Sequence, residues 1–377
     1  MEILRSVSSA IAARLPPPVR KQFEKKTKDG HDEPTIDVHG IAHVQEVRLL
    51  ATGGYVSIWL VKLVEPLENA RPGGAHGPPV SRFVLRLPFE DALLPDQITN
   101  DVAFKRLVAA KLPHIPVPHI YLYNATSQAD TSYVVEEYVD YPSLDSTWTS
   151  LTPPQKETMA QKLAGIIVDL TELRFDMIGG LNPEDFSSTP TVEGCKLFKG
   201  RGKFHRNECY QIGPYKSTKE YILSCYDREI YYYTHGTEED IDAEAFTDVT
   251  VEEFVESLRE EQESIAKSKI VDEPFVLVHG DLHARNILAK GDQIAAVIDW
   301  EFAGSYPLSE TLSGGDFEVV EAETDELYME NVVWARKIRE FVRAEVTKRG
   351  WDQKSIEDLM GDGNPELGQA RMEMFPF

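Results

Sequence analysis

Between Phe275 and Gly304 the chain reads FVLVHGDLHARNILAKGDQIAAVIDWEFAG. Three oxygen-bearing side chains stand out there by type and spacing: Asp281, Asn286 five positions on, and Asp299 thirteen positions after that. Two short apolar runs, Phe275–Val278 and Ile294–Ile298, have the length and composition of buried strands. A polar loop, His279–Asn286, and a short hairpin lie between them. Strands so placed would deliver all three side chains to one end of a small sheet. Carboxylate and amide oxygens suit Mg²⁺, which keeps water and substrate phosphates in its shell. Turn chemistry offers a plainer account of Asp281 and Asn286, because Asp and Asn favour loops of this kind.

Such a loop needs a frame. From His43 to Tyr138 the sequence predicts mainly strands: His43–Ala51 and Ser57–Val64 around the hairpin signal Thr52-Gly53-Gly54-Tyr55, then Arg82–Leu87. The Pro- and Gly-rich segment Glu65–Val80 predicts a long exposed loop. Asp96–Leu112 switches to helical spacing, with Phe104, Leu107, Val108 and Leu112 on one stripe and Asp101 projecting from the same side. Two more strands are expected around His119–Tyr123 and Ser132–Val139. Beyond Tyr141 the period turns helical. Thr152-Pro153-Pro154-Gln155 signals a capped helix start, and Met159, Leu163, Ile166, Ile167 and Leu170 continue it as a buried stripe. Asn331–Lys348 predicts a further amphipathic helix.

Composition narrows the function classes. A 377-residue chain has room for two lobes, and 42% hydrophobic with 27% charged residues is ordinary for a globular protein. The three cysteines, Cys195, Cys209 and Cys225, include no CxxC pair, which argues against structural zinc and a disulfide framework and for a reducing, cytoplasmic setting. No apolar run is long enough to span a bilayer. A formal net charge of −24 argues against a nucleic-acid partner. Glu301 to Glu330 carries nine carboxylates and no Lys or Arg. It reads either as a solvated acidic face or as a cleft wall that attracts a cationic substrate. Met1–Gln22, with Arg5, Arg14 and Arg20, reads as a helix whose presequence character is spoiled by Glu2 and Pro16-Pro17-Pro18.

HGDLHARNIL followed by IDWEFAG resembles the aminoglycoside phosphotransferase and choline kinase branch of the protein-kinase-like superfamily. The resemblance rests on the joint pattern His-x-Asp-x4-Asn and then Asp beside an aromatic residue. It extends more loosely, with its parts in the expected order, from about His43 to Gly304. It implies an α+β, two-lobed, protein-kinase-like fold: an N-terminal extension over 1–40, an antiparallel β lobe with one helix over 41–138 that binds nucleotide, and a mainly helical lobe over 139–377 that carries the catalytic loop, metal site and acceptor site.

The resemblance also implies ATP and Mg²⁺ as cofactors. Phosphoryl transfer proceeds through a loose transition state, so positioning and charge neutralisation do most of the catalysis. On this resemblance Asp281 is the catalytic residue that accepts or orients the proton of the attacking hydroxyl, and Asn286 and Asp299 hold the metal against the phosphates. His279 is a structural hydrogen-bonder. Gly53, Gly54, Tyr55 and Ser57 fall where related kinases cover the nucleotide phosphates with backbone amides, although a plain hairpin turn would use the same glycines. Glu137, Tyr138 and Val139 match the hinge that meets adenine through the backbone. Arg86 stands where the family has a phosphate-binding lysine, and Asp101 where the following helix carries a glutamate. The longer cation and the shorter acid are expected to pair across the same gap, although Arg and Lys are not freely interchangeable.

Protein kinases switched by phosphorylation carry an arginine where this chain has Gly280, and they close the following loop with Ala-Pro-Glu. Here Asp299-Trp300-Glu301 follows, and no such closure. The expected acceptor is therefore a hydroxyl-bearing small molecule, cationic ones included, held by Leu181–Asp272 and by the chain after Gly304. Within that insert Tyr231-Tyr232-Tyr233 offers either core or an aromatic cation pocket, and IGPYKS (Ile212–Ser217) resembles a segment of fungal family members. The departures at Arg86 and Asp101 leave open a catalytically weak, kinase-like nucleotide-binding protein.

Overall fold

A computed structural model describes residues 35–36, 44–67 and 79–375, apart from 189, 193–196, 198–199, 243–245, 247, 314–316, 362–363 and 371–373. Most of the predicted 1–40 extension and of the loop before Val80 lies outside the described residues.

Alternating hydrophobic residues build the first lobe. Its strands are β1 (Thr35–Ile36), β2 (Val44–Thr52), β3 (Val56–Leu67), β4 (Val80–Pro88), β5 (Ile120–Asn124) and β6 (Tyr133–Glu137). They form one antiparallel sheet in the order β1-β2-β3-β4-β6-β5. Thr35 and Ile36, inside the stretch read as an extension, add an edge strand to β2. Side chains on a strand alternate faces. Phe83 and Leu85 of β4 accordingly join Trp59, Val61 and Val135 in a core on one face. Arg86 is thereby turned to the other face, over which helix α1 (Asp96–Lys111) lies. That helix packs two ways. Ile98 and Val102 meet Ile120 and Val134 of the sheet, while Phe104, Leu107 and Val108 join the core of the second lobe.

The second lobe is mainly helical, with α2 (Pro153–Thr171), α3 (Thr218–His235), α4 (Val251–Lys267) and α5 (Asp325–Lys348). The expected cap of α2 is present: the Gln155 side chain accepts the Thr152 amide at 3.0 Å. Met159, Leu163, Ile167 and Leu170 are buried in the main core, each contributing roughly 1.5–3 kcal/mol of transfer free energy. Helix α5 begins at Asp325, six residues before the expected Asn331, with Thr324 capping the Leu327 amide. Asp325 and Glu326 in its first turn suit the positive end of the helix dipole. The acidic stretch is thus not one surface: Glu301 is buried, and Glu330 binds Lys156 at 2.5 Å and both Trp148 and Trp334 at 3.0 Å.

The strands around the chemical loop depart from expectation. Fully buried β8 (Phe275–Val278) lies between β7 (Arg174–Phe175) and β11 (Gly304–Pro307), whereas β9 (Ile287–Lys290) and β10 (Gln293–Val297) form a separate hairpin. The two apolar runs therefore do not share a sheet. What joins them is bonding across the loops, not a strand ladder.

Candidate active site

The loop that leaves β8 is fastened to the end of β10 by one residue. Buried His279 accepts the Asp281 amide at Nδ1, 3.3 Å away, and its Nε2 donates to the carbonyl of Ile298 at 3.1 Å. This pattern needs a neutral ring. Burial lowers the His279 pKa to about 4, against the raising pull of Asp281 and Asp299. Its ring packs against that of Trp300, with centroids 4.5 Å apart. A second link runs from the Ile298 amide to the Asn286 carbonyl at 2.9 Å. These two links do the work assigned to a common sheet.

Within the loop Asn286 donates from Nδ2 to the Asp281 carbonyl at 2.8 Å and to Asp281 Oδ2 at 3.0 Å. The amide nitrogen is thus committed to Asp281, which leaves its oxygen as the group a cation would meet. His283 Nε2 lies 3.2 Å from the same Oδ2. Arg285 is half exposed and faces Glu318 at 3.6 Å. Gly280 has φ +79°, and a Cβ there would collide with the carbonyl of Phe302. Neither a side chain nor the backbone conformation is tolerated at that position except as glycine.

Asp299 follows β10 in a left-handed conformation, φ +66°, which Asp adopts more readily than most residues. Its Oδ1 accepts a short hydrogen bond of 2.6 Å from buried Arg86, whose guanidinium also lies 3.4 Å from Glu301 and 3.8 Å from Glu136. Burial alone would lower the Arg86 pKa, but Asp299, Asp101, Glu136 and Glu301 together hold it well above the usual value. Glu301 is pushed up to about 8, first by burial and then by the neighbouring Asp299 charge, against the lowering effect of Arg86.

The expected Arg86–Asp101 pair is not formed. Asp101 is taken by Lys105, one turn along α1, at 2.8 Å, and by the Trp300 amide at 3.0 Å. Lys105 also binds Glu136 at 2.6 Å. Lys105 is the residue that the sequence reading missed, together with the role of Glu136, the first residue of the connector, as its second acid. The i,i+4 spacing of Asp101 and Lys105 was the available signal, obscured because a lysine beside an apolar stripe ordinarily reaches solvent.

The phosphate-loop candidates divide. The Gly53 amide donates to the Val56 carbonyl at 2.8 Å and closes the turn, with Gly54 exposed at its tip. Tyr55 packs edge-on against Phe302, centroids 5.8 Å apart, and its hydroxyl donates to the carbonyl of Leu197 in the insert. Ser57 is engaged inside the sheet, its Oγ donating to the Leu87 carbonyl at 3.3 Å and accepting the Trp59 indole at 3.0 Å. A small, mainly apolar cavity behind the turn is lined by Tyr55, Arg86, Asp101 and Glu301. At the connector, the Glu137 amide donates to the His119 carbonyl at 2.8 Å, Arg82 sits 5.0 Å over the Tyr138 ring, and Val139 accepts the Tyr141 amide at 3.0 Å.

The described residues hold no group of three His, Cys, Asp or Glu side chains arranged to bind a metal. A divalent ion here would take Asn286 and Asp299 from the chain and complete its shell with phosphate oxygens and water. Mg²⁺ accepts that kind of shell, so the donor set fits it. In the insert Tyr232 and Tyr233 are buried, stacking with Arg201 or hydrogen-bonding the Met374 carbonyl; they serve the core and not a pocket. The IGPYKS segment is anchored where Tyr215 and Ile178 exchange backbone bonds of 2.9 Å. No described helix is long and apolar enough to cross a membrane.

Three solved structures illustrate what the chain is similar to. Aminoglycoside phosphotransferase APH(4)-Ia, a thermostable mutant in a ternary complex with AMP-PNP and hygromycin B, is 13% identical over 88% of this chain and 87% of its own, with a TM-score of 0.45. APH(2″)-IIa in its streptomycin–ATP complex is 14% identical over 87% and 85%, with a TM-score of 0.46. ADP-bound APH(2″)-Ib is 14% identical over 96% and 100%, with a TM-score of 0.43. No curated protein matches the sequence. A profile of the phosphotransferase enzyme family, by contrast, matches residues 73–312, which include the small-lobe helix, the insert and the whole Phe275–Gly304 segment. On that match the chain belongs to the phosphotransferase enzyme family.

Proposed function

We propose that the protein is an ATP-dependent, Mg²⁺-requiring phosphotransferase that places the γ-phosphate on a hydroxyl of a small molecule. The observation that carries this reading is the bonding of Asn286 to Asp281, next to an Asp299 held by Arg86. Asp281 receives the Asn286 amide and faces His283, so its carboxylate is oriented as an acceptor for the proton of an attacking hydroxyl. The acceptor oxygen forms a new bond to the γ-phosphorus as the bond to the leaving ADP oxygen breaks, and the hydroxyl proton passes to Asp281. Bound Mg²⁺ would neutralise phosphate charge, held by Asn286 and Asp299. Arg86, always charged and forked, is suited to the phosphate oxygens. Backbone of the Gly53–Tyr55 turn would cover them, and Glu137–Val139 would meet the adenine.

Arg86 and Lys105 together face four carboxylates, Asp101, Glu136, Asp299 and Glu301, and acids in excess of cations favour a divalent ion. A hydroxylated small molecule is favoured over a protein as acceptor by Gly280, where an added Cβ would meet the Phe302 carbonyl and so exclude an arginine that would read a phosphorylated loop.

Asp281→Asn is expected to keep the fold, by circular dichroism, and to lower turnover at least ~100-fold, the low end of what a positioned acid–base group contributes. The assay is a screen of hydroxylated amines and sugars with labelled ATP, read by product mass. Undiminished turnover in the variant would refute the assignment of Asp281.

A further inference from the structure

Lys105 lies on α1, yet its ammonium is fully buried and touches neither the turn of Gly53–Tyr55 nor the loop of Asp281. It holds two acids from two elements: Asp101 of its own helix at 2.8 Å and Glu136 of β6 at 2.6 Å. Each acid has a second partner that leads to the site. Asp101 Oδ1 accepts the Trp300 amide at 3.0 Å, fixing the peptide group that directly follows Asp299. Glu136 lies 3.8 Å from the Arg86 guanidinium. The peptide that Asp101 holds is the one whose orientation sets the left-handed turn at Asp299, a conformation that persists only where its surroundings impose it.

We propose that Lys105 is a positioning residue for the phosphotransfer site: by occupying Asp101 it fixes the Asp299–Trp300 peptide, and it leaves Arg86 free of the helix to face Asp299, Glu301 and the phosphates. The inference rests on the phosphotransferase reading of this site. Its chemical basis is a division of labour. Were Arg86 the counter-charge of Asp101, transfer of the guanidinium from carboxylate to phosphate on nucleotide binding would strip Asp101 of its cation and loosen the helix. A second buried cation removes that conflict, so α1 stays bonded to Trp300 whether or not Arg86 is engaged by nucleotide.

Replacing a whole buried ion pair by apolar residues of similar size is often tolerated, whereas removing one partner is not. The test therefore uses paired substitutions. Asp101→Leu/Lys105→Met removes the Asp101–Lys105 pair and the acceptor for Trp300, and leaves Glu136 to the Arg86 guanidinium 3.8 Å away. Asp101→Asn/Lys105→Met removes the charges but keeps an oxygen facing that amide. Thermal melting, an electron paramagnetic resonance titration of Mn²⁺ in the presence of AMP-PNP, and steady-state kinetics are measured on each full-length protein.

The leucine pair is expected to melt cooperatively, to bind Mn²⁺ at least tenfold more weakly than the parent, and to lose at least tenfold in kcat with acceptor KM within threefold. The asparagine pair is expected to bind Mn²⁺ at least fivefold more tightly than the leucine pair. Parental Mn²⁺ affinity and kcat in the leucine pair would reduce Lys105 to a structural role and overturn the proposal. If the leucine pair does not fold, Asp101→Asn alone decides, since one amide oxygen must then serve two donors. A threefold or greater loss of Mn²⁺ affinity supports the proposal, and none overturns it. A parent that binds neither Mn²⁺ nor AMP-PNP would instead sink the phosphotransferase reading itself.

Discussion

Arg86 shows how far residue identity could be read in advance. Its place on β4 and its turn toward the site follow from the alternation of Phe83, Val84 and Leu85. Its partners do not, because which acid meets a buried guanidinium depends on elements far apart in sequence. Three carboxylates surround it, two of them from the segment after β10. Arg86→Met should therefore leave several buried acids without their cation and lower folding stability by about 3–5 kcal/mol, the scale of a broken buried pair. Urea denaturation measures this, and a loss under 1 kcal/mol would mean that Lys105 alone satisfies the cluster. Asp281, Asn286 and Asp299 were legible because their spacing is local to one segment. Lys105 was not, since a buried lysine shows itself only once its acids are in place.

Elements were more legible than their assembly. The caps of α2, the β2–β3 turn and the run of β8 follow from local chemistry, and each lies within a few residues of expectation. Sheet membership escaped the sequence: β8 and β10 are both short and apolar, and nothing local says that they belong to different sheets joined through His279. The turn of Gly53–Tyr55 likewise gains a contact that no local pattern contains, the Tyr55 hydroxyl on the Leu197 carbonyl. Tyr55→Phe keeps the ring against Phe302 and deletes that bond, worth about 1 kcal/mol. The turn should then open more readily, and release of a fluorescent ADP analogue in stopped flow should quicken about fivefold. An unchanged release rate would show that the bond does not restrain the turn.

At the scale of the whole molecule, two histidines of the second lobe, His205 and His279, are shut away from water. His205 is buried beside Tyr210, and burial, with the charges of Arg228 and Arg206, lowers its pKa to about 3. His279 is lowered to about 4. A depressed histidine pKa means that the unfolded chain binds the proton and the folded one does not. The stability that comes from keeping each ring neutral is therefore complete above about pH 6.5 and falls as the medium is acidified toward the folded value, by about 1.4 kcal/mol per pH unit for each ring. His205→Gln should remove one such contribution and flatten the decline between about pH 6 and 4 by that amount, as measured by denaturant midpoints across pH. An unaltered slope would place His205 in contact with solvent. One geometric detail also bears on descent. Since any β-carbon at Gly280 meets the Phe302 carbonyl, no single codon change can install an arginine there without rerouting the main chain after Glu301. A lineage built on this backbone is thus barred by shape from acquiring covalent on–off control through an arginine at this position.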